Sequence, residues 1–232
     1  MKYVSADEAV KLVKSGDWVF FQGSTAVPVI IQEALARRAD ELRGVNIVSG
    51  FNITKGPAPF CKPEYKDSFF VNSLFLCADQ RQYVAEGYGS LIPGFLGELP
   101  SLIRRHEIPI DVACINCSLP DENGYCSYNI SADLAQPAVE AAKIVIAQVN
   151  KSIPYLYGTA MIHESQITAA IECDDPVLYF ENKILYKEKD ELPELEDEEP
   201  YTIGKAKVVR EGKNVTIVSY SMFSAALVFW YV

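Results

Sequence analysis

Short, continuous apolar runs are the first feature of the sequence, and stretches with helical spacing separate them. A run of roughly four to eight apolar residues bounded by turn residues predicts a strand that is buried on both faces. Mainly apolar runs of this kind lie at 18–21, 45–49, 110–115 and 144–149, with weaker extended segments at 67–76 and 91–92. Polar residues interrupt three of the runs: Asn46 and Ser49, Asp111, and Gln148. The pattern therefore predicts a sheet whose central strands are covered on both sides.

Between these runs, apolar residues recur three or four positions apart, which predicts amphipathic helices. The first helix opens at Ser5 with a capping box closed by Glu8, and the second has Pro28 near its first turn. Further helices are predicted at 79–86, 98–105 and 134–142. Asp79 is expected to cap the first of these three. Strands and helices alternate about every 30 residues, so the predicted fold class is α/β, an open, mostly parallel sheet with helices on both faces.

Composition and charge narrow the classes of partner. With 232 residues, of which 49% are hydrophobic, the chain can fill a sizeable core. Its 31 acidic and 21 basic side chains give a net charge of -10, which argues against nucleic acid or an anionic membrane as a partner. An anionic small molecule could still bind through local basic side chains or helix N-termini.

Cysteine usage indicates a reducing compartment. Six cysteines are scattered through a long chain without a signal peptide, so we expect buried free thiols and a cytoplasmic protein. Cys114 and Cys117 lie in a predicted strand, where residues three apart point to opposite faces. His106 and His163 are the two histidines, too few for a Cys/His zinc pattern. No apolar run approaches the roughly 20 residues that span a bilayer, so we expect a soluble chain.

The loop Gly23, Ser24, Thr25, Ala26 is the first candidate site, because it joins the carboxyl end of a predicted strand to a helix. Ligands of open α/β sheets gather at such positions, where backbone N–H groups can hold a carboxylate or an oxyanion. A plain Ser/Thr helix cap would explain the same residues equally well. The long loop at 50–66, with Asn52 and Lys55, is expected either to serve a site or to contact a partner.

A second candidate is the turn after the strand at 110–115. Pro120, Asp121, Asn123 and Gly124 supply turn chemistry, since Asn and Gly tolerate a positive φ. The run PDENGYCSYNISADLAQPAVEAAKIVIAQVN, which begins at Pro120, resembles the signature of the acetyl-CoA hydrolase/CoA-transferase family. The resemblance covers residues 5–171 and corresponds to the end of that family's N-terminal domain.

The resemblance implies a reaction and its substrates. In this family a glutamate attacks an acyl-CoA thioester, and a small carboxylic acid later resolves the glutamyl-CoA that forms. Coenzyme A is then a substrate, and no permanently bound cofactor is implied. The candidate substrate-binding residues are therefore Gly23, Ser24, Thr25 and Ala26, because of their place at the carboxyl end of a strand. Asn123 and Gly124 are further candidates for the acyl pocket, although turn formation is the favoured explanation for both.

The nucleophilic glutamate of the family belongs to a second, C-terminal half that this sequence lacks. We therefore expect the chain to be inactive alone and to need a second CoA-transferase half or subunit, within an oligomer. Glu181, followed by Asn182, is a poor substitute because the glycines that should follow are missing. Glu164, next to His163, is better explained as a polar residue at the end of an element.

The C-terminal part of the sequence changes character. Residues 174–221 resemble the pyruvate dehydrogenase beta subunit, and an acidic run at 188–199 reads as a linker. We predict a domain at 1–173, an acidic linker region at 174–200 and a small β-rich appendage at 201–232, with paired strands at 205–210 and 215–220. A gene fusion or a frameshift could each join two such families in one chain.

Two other functions remain open on the sequence alone. The first is a non-catalytic acyl-CoA-binding or assembly module built on the same domain. The second is a fragment of a thiamine-diphosphate-dependent 2-oxoacid dehydrogenase, which would rest on residues 174–221 alone.

Overall fold

Seven parallel strands form the main sheet of the computed structural model. The structure describes residues 1–52, 56–128 and 131–173, and these residues belong to a single unit. The nine strands of the described residues are β1 Trp18–Phe21, β2 Val45–Ser49, β3 Phe69–Ser73, β4 Gly89–Leu91, β5 Val112–Cys117, β6 Tyr125–Ser127, β7 Ile144–Asn150, β8 Met161–His163 and β9 Ala169–Cys173. The order across the main sheet is β4-β3-β2-β1-β5-β7-β9, whereas β6 and β8 pair antiparallel in a separate ribbon. The predicted α/β class and open parallel sheet are confirmed.

Helices cover both faces of the sheet. The α-helices of the described residues are α1 Ala6–Ala9, α2 Val29–Arg37, α3 Ala78–Ala85, α4 Leu99–Arg104 and α5 Ala135–Ala141. Phe21 points into one core with Ile31 of α2 and Tyr83 of α3, all three side chains being at most 3% exposed. Phe20 points the other way, into a second core with Ile103 of α4 and Ala138 of α5. Adjacent residues of β1 thus bury opposite faces, as a continuous apolar run predicts.

The direction of strand addition reverses at β1. From β1 the chain adds β2, β3 and β4 on one side and then returns to place β5 on the other. Phe21, at the carboxyl end of β1, pairs in register with Ser49 of β2 and with Cys114 of β5. A reversal of this kind leaves a crevice beyond the carboxyl ends of the central strands, where doubly wound sheets bind their ligands.

Most predicted elements are present, and one predicted role is wrong. Ser5 caps α1, with its side chain accepting a 3.2 Å hydrogen bond from the backbone N–H of Glu8. Asp79 is not the N-cap residue, because Cys77 holds that position before α3. Asp79 is buried in the first helical turn, and its side chain accepts a hydrogen bond from Asn52 instead. The ribbon of β6 and β8 was not predicted from the sequence, and neither was β9 at the edge of the main sheet.

Cysteine positions agree with the prediction for β5. Cys114 belongs to one core and Cys117 to the other, and all six cysteines are buried. Within the described ranges, the helices are too short or too polar for any to be a candidate membrane span. The predicted linker, appendage and domain boundaries beyond residue 173 lie outside the described residues, as does Lys55.

Candidate active site at the carboxyl edge of the sheet

Gln22, the first residue after β1, connects three parts of the crevice. Its side chain is completely buried. The amide nitrogen Nε2 donates hydrogen bonds to the backbone oxygens of Tyr128, at 2.7 Å, and Ser131, at 2.9 Å. The amide oxygen Oε1 accepts a bond of 2.8 Å from the backbone N–H of Asn116 in β5. One side chain therefore holds β1, β5 and the segment after β6 together.

Gly23 and Ser24 form a tight turn that lies against the loop after β2. A Cβ atom on Gly23 would lie 2.7 Å from the backbone oxygen of Phe51, closer than such atoms approach in proteins, so the position requires glycine. The backbone N–H of Ser24 donates to that same oxygen, and Ser24 forms a parallel bridge with Asn52. Ser24 has a φ of 56°, in the left-handed region that most residues avoid. The close approach of two loops thus shapes one wall of the crevice.

The hydroxyls of this turn face the segment before α5. Ser24 Oγ donates a 3.0 Å hydrogen bond to the carboxylate of Asp133, and Thr25 Oγ1 lies 3.1 Å from Ser131 Oγ. Ala26 is completely buried. The alternative that Ser24 or Thr25 caps the following helix is wrong, because α2 begins at Val29 and has Pro28 before it without a side-chain cap. The two hydroxyls instead fasten the turn to the opposite side of the crevice.

A cavity of about 430 Å³ opens beyond the carboxyl ends of β1, β2 and β3. Gly23 and Ser24 line it, and so do Gly50 and Asp133. The deepest lining side chains are apolar, belong to the second core and are at most 6% exposed: Phe20, Leu74, Leu99 and Leu134. Ligand sites of enzymes are usually cavities of about this size, largely apolar with a few polar groups.

The mouth of the cavity is formed by exposed apolar side chains. Phe51 and Phe75 meet edge to face, with ring centroids 5.5 Å apart. Phe95 and Leu96, in the loop before α4, are 79% and 67% exposed. Contiguous apolar surface of this kind around an opening marks a place where a ligand or another protein surface binds.

A buried polar pair supports the Phe51 loop from behind. The amide nitrogen of Asn52 donates a 2.8 Å hydrogen bond to Asp79 Oδ2, and both side chains are at most 7% exposed. The other carboxylate oxygen, Asp79 Oδ1, has no hydrogen-bond partner within the described residues. Burial raises the pKa of Asp79, and the hydrogen bond from Asn52 offsets part of that rise. Burial also raises the pKa of the Cys61 thiol, and the nearby Asp79 carboxylate adds to the effect.

Replacing this carboxylate should change stability in a pH-dependent way. Because the pKa of Asp79 in the fold lies above its ordinary value of 3.8, its carboxylate increasingly destabilises the fold as the pH rises above about 4. We expect Asp79→Asn, which can still accept from Asn52, to raise the Tm by about 2–4 °C at pH 7 and to gain nothing at pH 4.

The measurement is the Tm of both proteins at several values between pH 4 and pH 7. Asp111→Asn is the control of opposite sign, since a hydrogen bond from Lys143 lowers the pKa of Asp111. That variant should lose Tm relative to the parent as the pH rises. A Tm difference for Asp79→Asn that is the same at every pH would contradict the prediction.

Asn123 and Gly124 lie outside the cavity lining, in the turn between β5 and β6. Asp121 Oδ1 accepts hydrogen bonds from the backbone N–H groups of Asn123, at 2.9 Å, and Tyr125, at 2.8 Å, and Gly124 has a φ of 81°. The bond from Tyr125 contributes most to lowering the pKa of Asp121. Burial and the acceptor Asp121 raise the pKa of Tyr155 to about 12. The structure thus gives both residues the turn-forming role.

Glu164 joins the same turn from the β8 side. Its backbone N–H donates a 2.8 Å hydrogen bond to the oxygen of Gly124, and its carboxylate lies 3.9 Å from the amine of Met1. His163 Nδ1 lies 2.8 Å from Ser165 Oγ, a local contact at the start of a short 3₁₀ turn. These contacts place Glu164 at the end of an element. Within the described ranges, no group of three or more His, Cys, Asp or Glu side chains is arranged to hold a metal ion.

Sequence reasoning did not single out Gln22, Asp133 or the apolar residues of the core and of the cavity mouth, but the loop at 50–66, which includes Phe51, was expected to serve a site or to contact a partner. Gln22 carried a signal, because a polar side chain directly after a buried apolar strand needs buried partners. Asp133 carried none, since an acid before a helix is a common surface residue.

A doubly wound parallel sheet with an apolar cavity beyond its carboxyl edge is the arrangement in which α/β proteins commonly bind small molecules. The sequence model of the acetyl-CoA hydrolase/transferase N-terminal domain matches residues 1–180. The chain therefore belongs to the acetyl-CoA hydrolase/transferase family, which confirms the resemblance drawn from the signature.

Curated relatives agree on CoA-transferases. The chain is 36% identical to the 4-hydroxybutyrate coenzyme A transferase of Clostridium kluyveri and 32% identical to the butyryl-CoA:acetate CoA-transferase of Anaerostipes caccae. Each alignment covers 76% of the chain. The chain is 35% identical to a succinyl-CoA:cyclohexane-1-carboxylate CoA transferase of Geobacter metallireducens. The chain covers 39% to 41% of the length of these relatives.

Solved structures agree on the fold. The 4-hydroxybutyrate CoA-transferase of Porphyromonas gingivalis superposes with a TM-score of 0.61 at 32% identity, covering 77% of this chain and 41% of that one. RipA from Yersinia pestis gives a TM-score of 0.70 at 24% identity, covering 77% and 44%. The sheet is therefore that of known CoA-transferase structures.

A second similarity is short. The mitochondrial pyruvate dehydrogenase E1 component subunit beta of Dictyostelium discoideum is 46% identical over 65 residues, which is 27% of this chain and 18% of that protein. A match of this extent is partial and does not show membership in that family.

Proposed function

We propose that the chain is the acyl-binding half of a CoA-transferase, which moves CoA from an acyl-CoA to a small carboxylic acid. The observation that carries the proposal is the cavity beyond β1, β2 and β3 in a domain of this family. The turn of Gly23 and Ser24 lies at its wall, where the acyl end of a thioester would enter. Coenzyme A is a substrate in this proposal, and no resident cofactor is required.

The nucleophile would come from a second half. The family resemblance implies a glutamate on the C-terminal half, and the chain covers about two fifths of its relatives. Phe75, Phe95 and Leu96 would then lie under that half, which accounts for large apolar side chains that are 57% to 79% exposed around the opening. The proposal thus includes a partner subunit, or a second half of the same protein, that covers the mouth of the cavity.

The test is a thermal-shift titration of the purified chain with acetyl-CoA and with free CoA, followed by an assay for CoA transfer to butyrate. A ligand at about a hundred times its Kd stabilises a fold by roughly 2.7 kcal/mol, which corresponds to a Tm rise of roughly 5–10 °C in a protein of this size. We expect a rise with acetyl-CoA and no turnover by the chain alone.

Each of the other outcomes of this test leads to a different conclusion. No Tm change with either compound would overturn the proposal that this half binds acyl-CoA. Turnover by the isolated chain would contradict the need for a second half and would direct attention to Asp133, the carboxylate among the described lining residues. A Tm rise with thiamine diphosphate instead would favour the dehydrogenase alternative.

A further inference from the structure

The floor of the cavity consists of hydrocarbon. Phe20, Leu74, Leu99 and Leu134 are part of the second core, and none is more than 6% exposed. Their side chains carry no hydrogen-bonding group, so a polar atom that reached the floor would lose its water and find no side-chain partner there. A methyl or ring carbon would be stabilised by the same surroundings.

The charge at the cavity also favours a ligand that ends in hydrocarbon. Among the described lining residues, the charged side chain is Asp133, an acid. Ser24 Oγ donates to this carboxylate at 3.0 Å, which holds it in place beside the turn. A ligand that ended in a carboxylate would meet the like charge of Asp133 rather than a cation, and because Asp133 is exposed, solvent screens this repulsion to a modest size.

The volume admits more than a two-carbon acyl group. A cavity of roughly 150 Å³ lined by aliphatic and aromatic side chains is sufficient to hold benzene. The cavity here measures about 430 Å³. A butyryl, hexanoyl or benzoyl group therefore fits within it.

We propose that the cavity selects acyl groups that end in hydrocarbon, and discriminates against acyl groups of equal length that end in a carboxylate or a hydroxyl. This inference rests on the proposed function, because it takes the cavity to be the acyl site. The names of the relatives do not decide the matter, since they include butyryl, 4-hydroxybutyrate and succinyl compounds.

The test measures the Kd of the purified chain for free CoA, butyryl-CoA, hexanoyl-CoA, 4-hydroxybutyryl-CoA and succinyl-CoA by isothermal titration calorimetry. Butyryl and succinyl groups have the same number of carbons and differ at the terminal carbon, and the 4-hydroxy compound adds one oxygen to butyryl. We expect hexanoyl-CoA to bind more tightly than butyryl-CoA by about fourfold for each additional buried methylene. Succinyl-CoA and 4-hydroxybutyryl-CoA should bind no more tightly than free CoA.

Failure of this inference differs from failure of the proposed function. If all four acyl-CoA compounds bind as free CoA does, CoA is recognised but the acyl group is not in the cavity, and only this inference fails. If succinyl-CoA binds more tightly than butyryl-CoA, the selectivity is the reverse of the proposal. If no CoA compound binds, both are overturned.

Two variants and one control variant locate the selectivity. Leu74→Phe fills part of the floor and should remove the advantage of hexanoyl-CoA over butyryl-CoA, whereas Leu119→Phe, at an exposed position outside the cavity lining, should keep it. Asp133→Asn removes the negative charge while keeping a residue type that tolerates the φ of 27° found there. That variant should lower the ratio of the Kd for succinyl-CoA to the Kd for butyryl-CoA severalfold. An unchanged ratio would contradict the role given to Asp133.

Discussion

Gln22→Leu should lower the free energy of unfolding by about 3–4 kcal/mol, the largest loss that we expect from a single substitution here. The side chain is completely buried and bonds to the backbone of Asn116, Tyr128 and Ser131. Leucine would fill a similar volume but would leave two carbonyl oxygens and one N–H without those partners. Each such group costs roughly 1–3 kcal/mol when buried and unsatisfied. Denaturant unfolding measures the loss.

Gln32 provides a matched control for that experiment. It is a glutamine of α2 that is 1% exposed, yet neither of its side-chain polar atoms has a hydrogen-bond partner within the described part of the chain. Gln32→Leu should therefore be neutral or raise the free energy of unfolding by about 1 kcal/mol. Equal losses for the two variants would mean that polarity, and not the three hydrogen bonds of Gln22, determines stability at both positions.

The central strands could be predicted from the sequence because they are buried on both faces. The apolar runs at 18–21 and 45–49 coincide with β1 and β2, since a strand with a core on each side needs apolar residues at successive positions. β6 and β8 gave no such signal, because each has three residues and pairs in a ribbon outside the sheet. Short, half-exposed strands are set by partners that are distant in sequence.

The roles of side chains are equally hard to predict where their partners are distant in sequence. Asp79 has the residue type of a helix cap, and local propensity favoured that role. Its actual partner, Asn52, lies 27 positions away, and no local pattern indicates a tertiary hydrogen bond of this kind. The wrong prediction thus came from weighing a local preference without knowing which loop packs on the helix.

The location of the candidate site was more predictable than its chemistry. The rule that ligands gather at the carboxyl ends of parallel strands drew attention to the turn after β1, and the cavity is lined by Gly23 and Ser24 of that turn. The acid that Ser24 contacts is 109 residues away in the sequence. Asp133 could therefore not be assigned to the site until the sheet had brought the two segments together. The substrate-binding roles of Asn123 and Gly124 stay predictions.

Gly23→Ala should both destabilise the fold and impair ligand binding. The added Cβ would lie 2.7 Å from the backbone oxygen of Phe51, and a backbone atom cannot rotate away as a flexible side chain can. The turn and the Phe51 loop must separate, which breaks the hydrogen bond from the Ser24 N–H and moves a wall of the cavity. We expect a loss of about 1–3 kcal/mol in unfolding free energy and an increase of tenfold or more in the Kd for acyl-CoA.

Gly97→Ala and Gly50→Ala separate the possible causes of that result. Neither added Cβ would have a neighbouring atom within 4 Å, but Gly50 lines the cavity and Gly97 does not. Both variants should unfold at the parent's denaturant midpoint. If Gly23→Ala also kept the parent's midpoint and Kd, the close approach of the two loops would have no bearing on the site. If Gly23→Ala kept its stability but lost binding, the turn would act on the ligand directly and not by positioning Phe51.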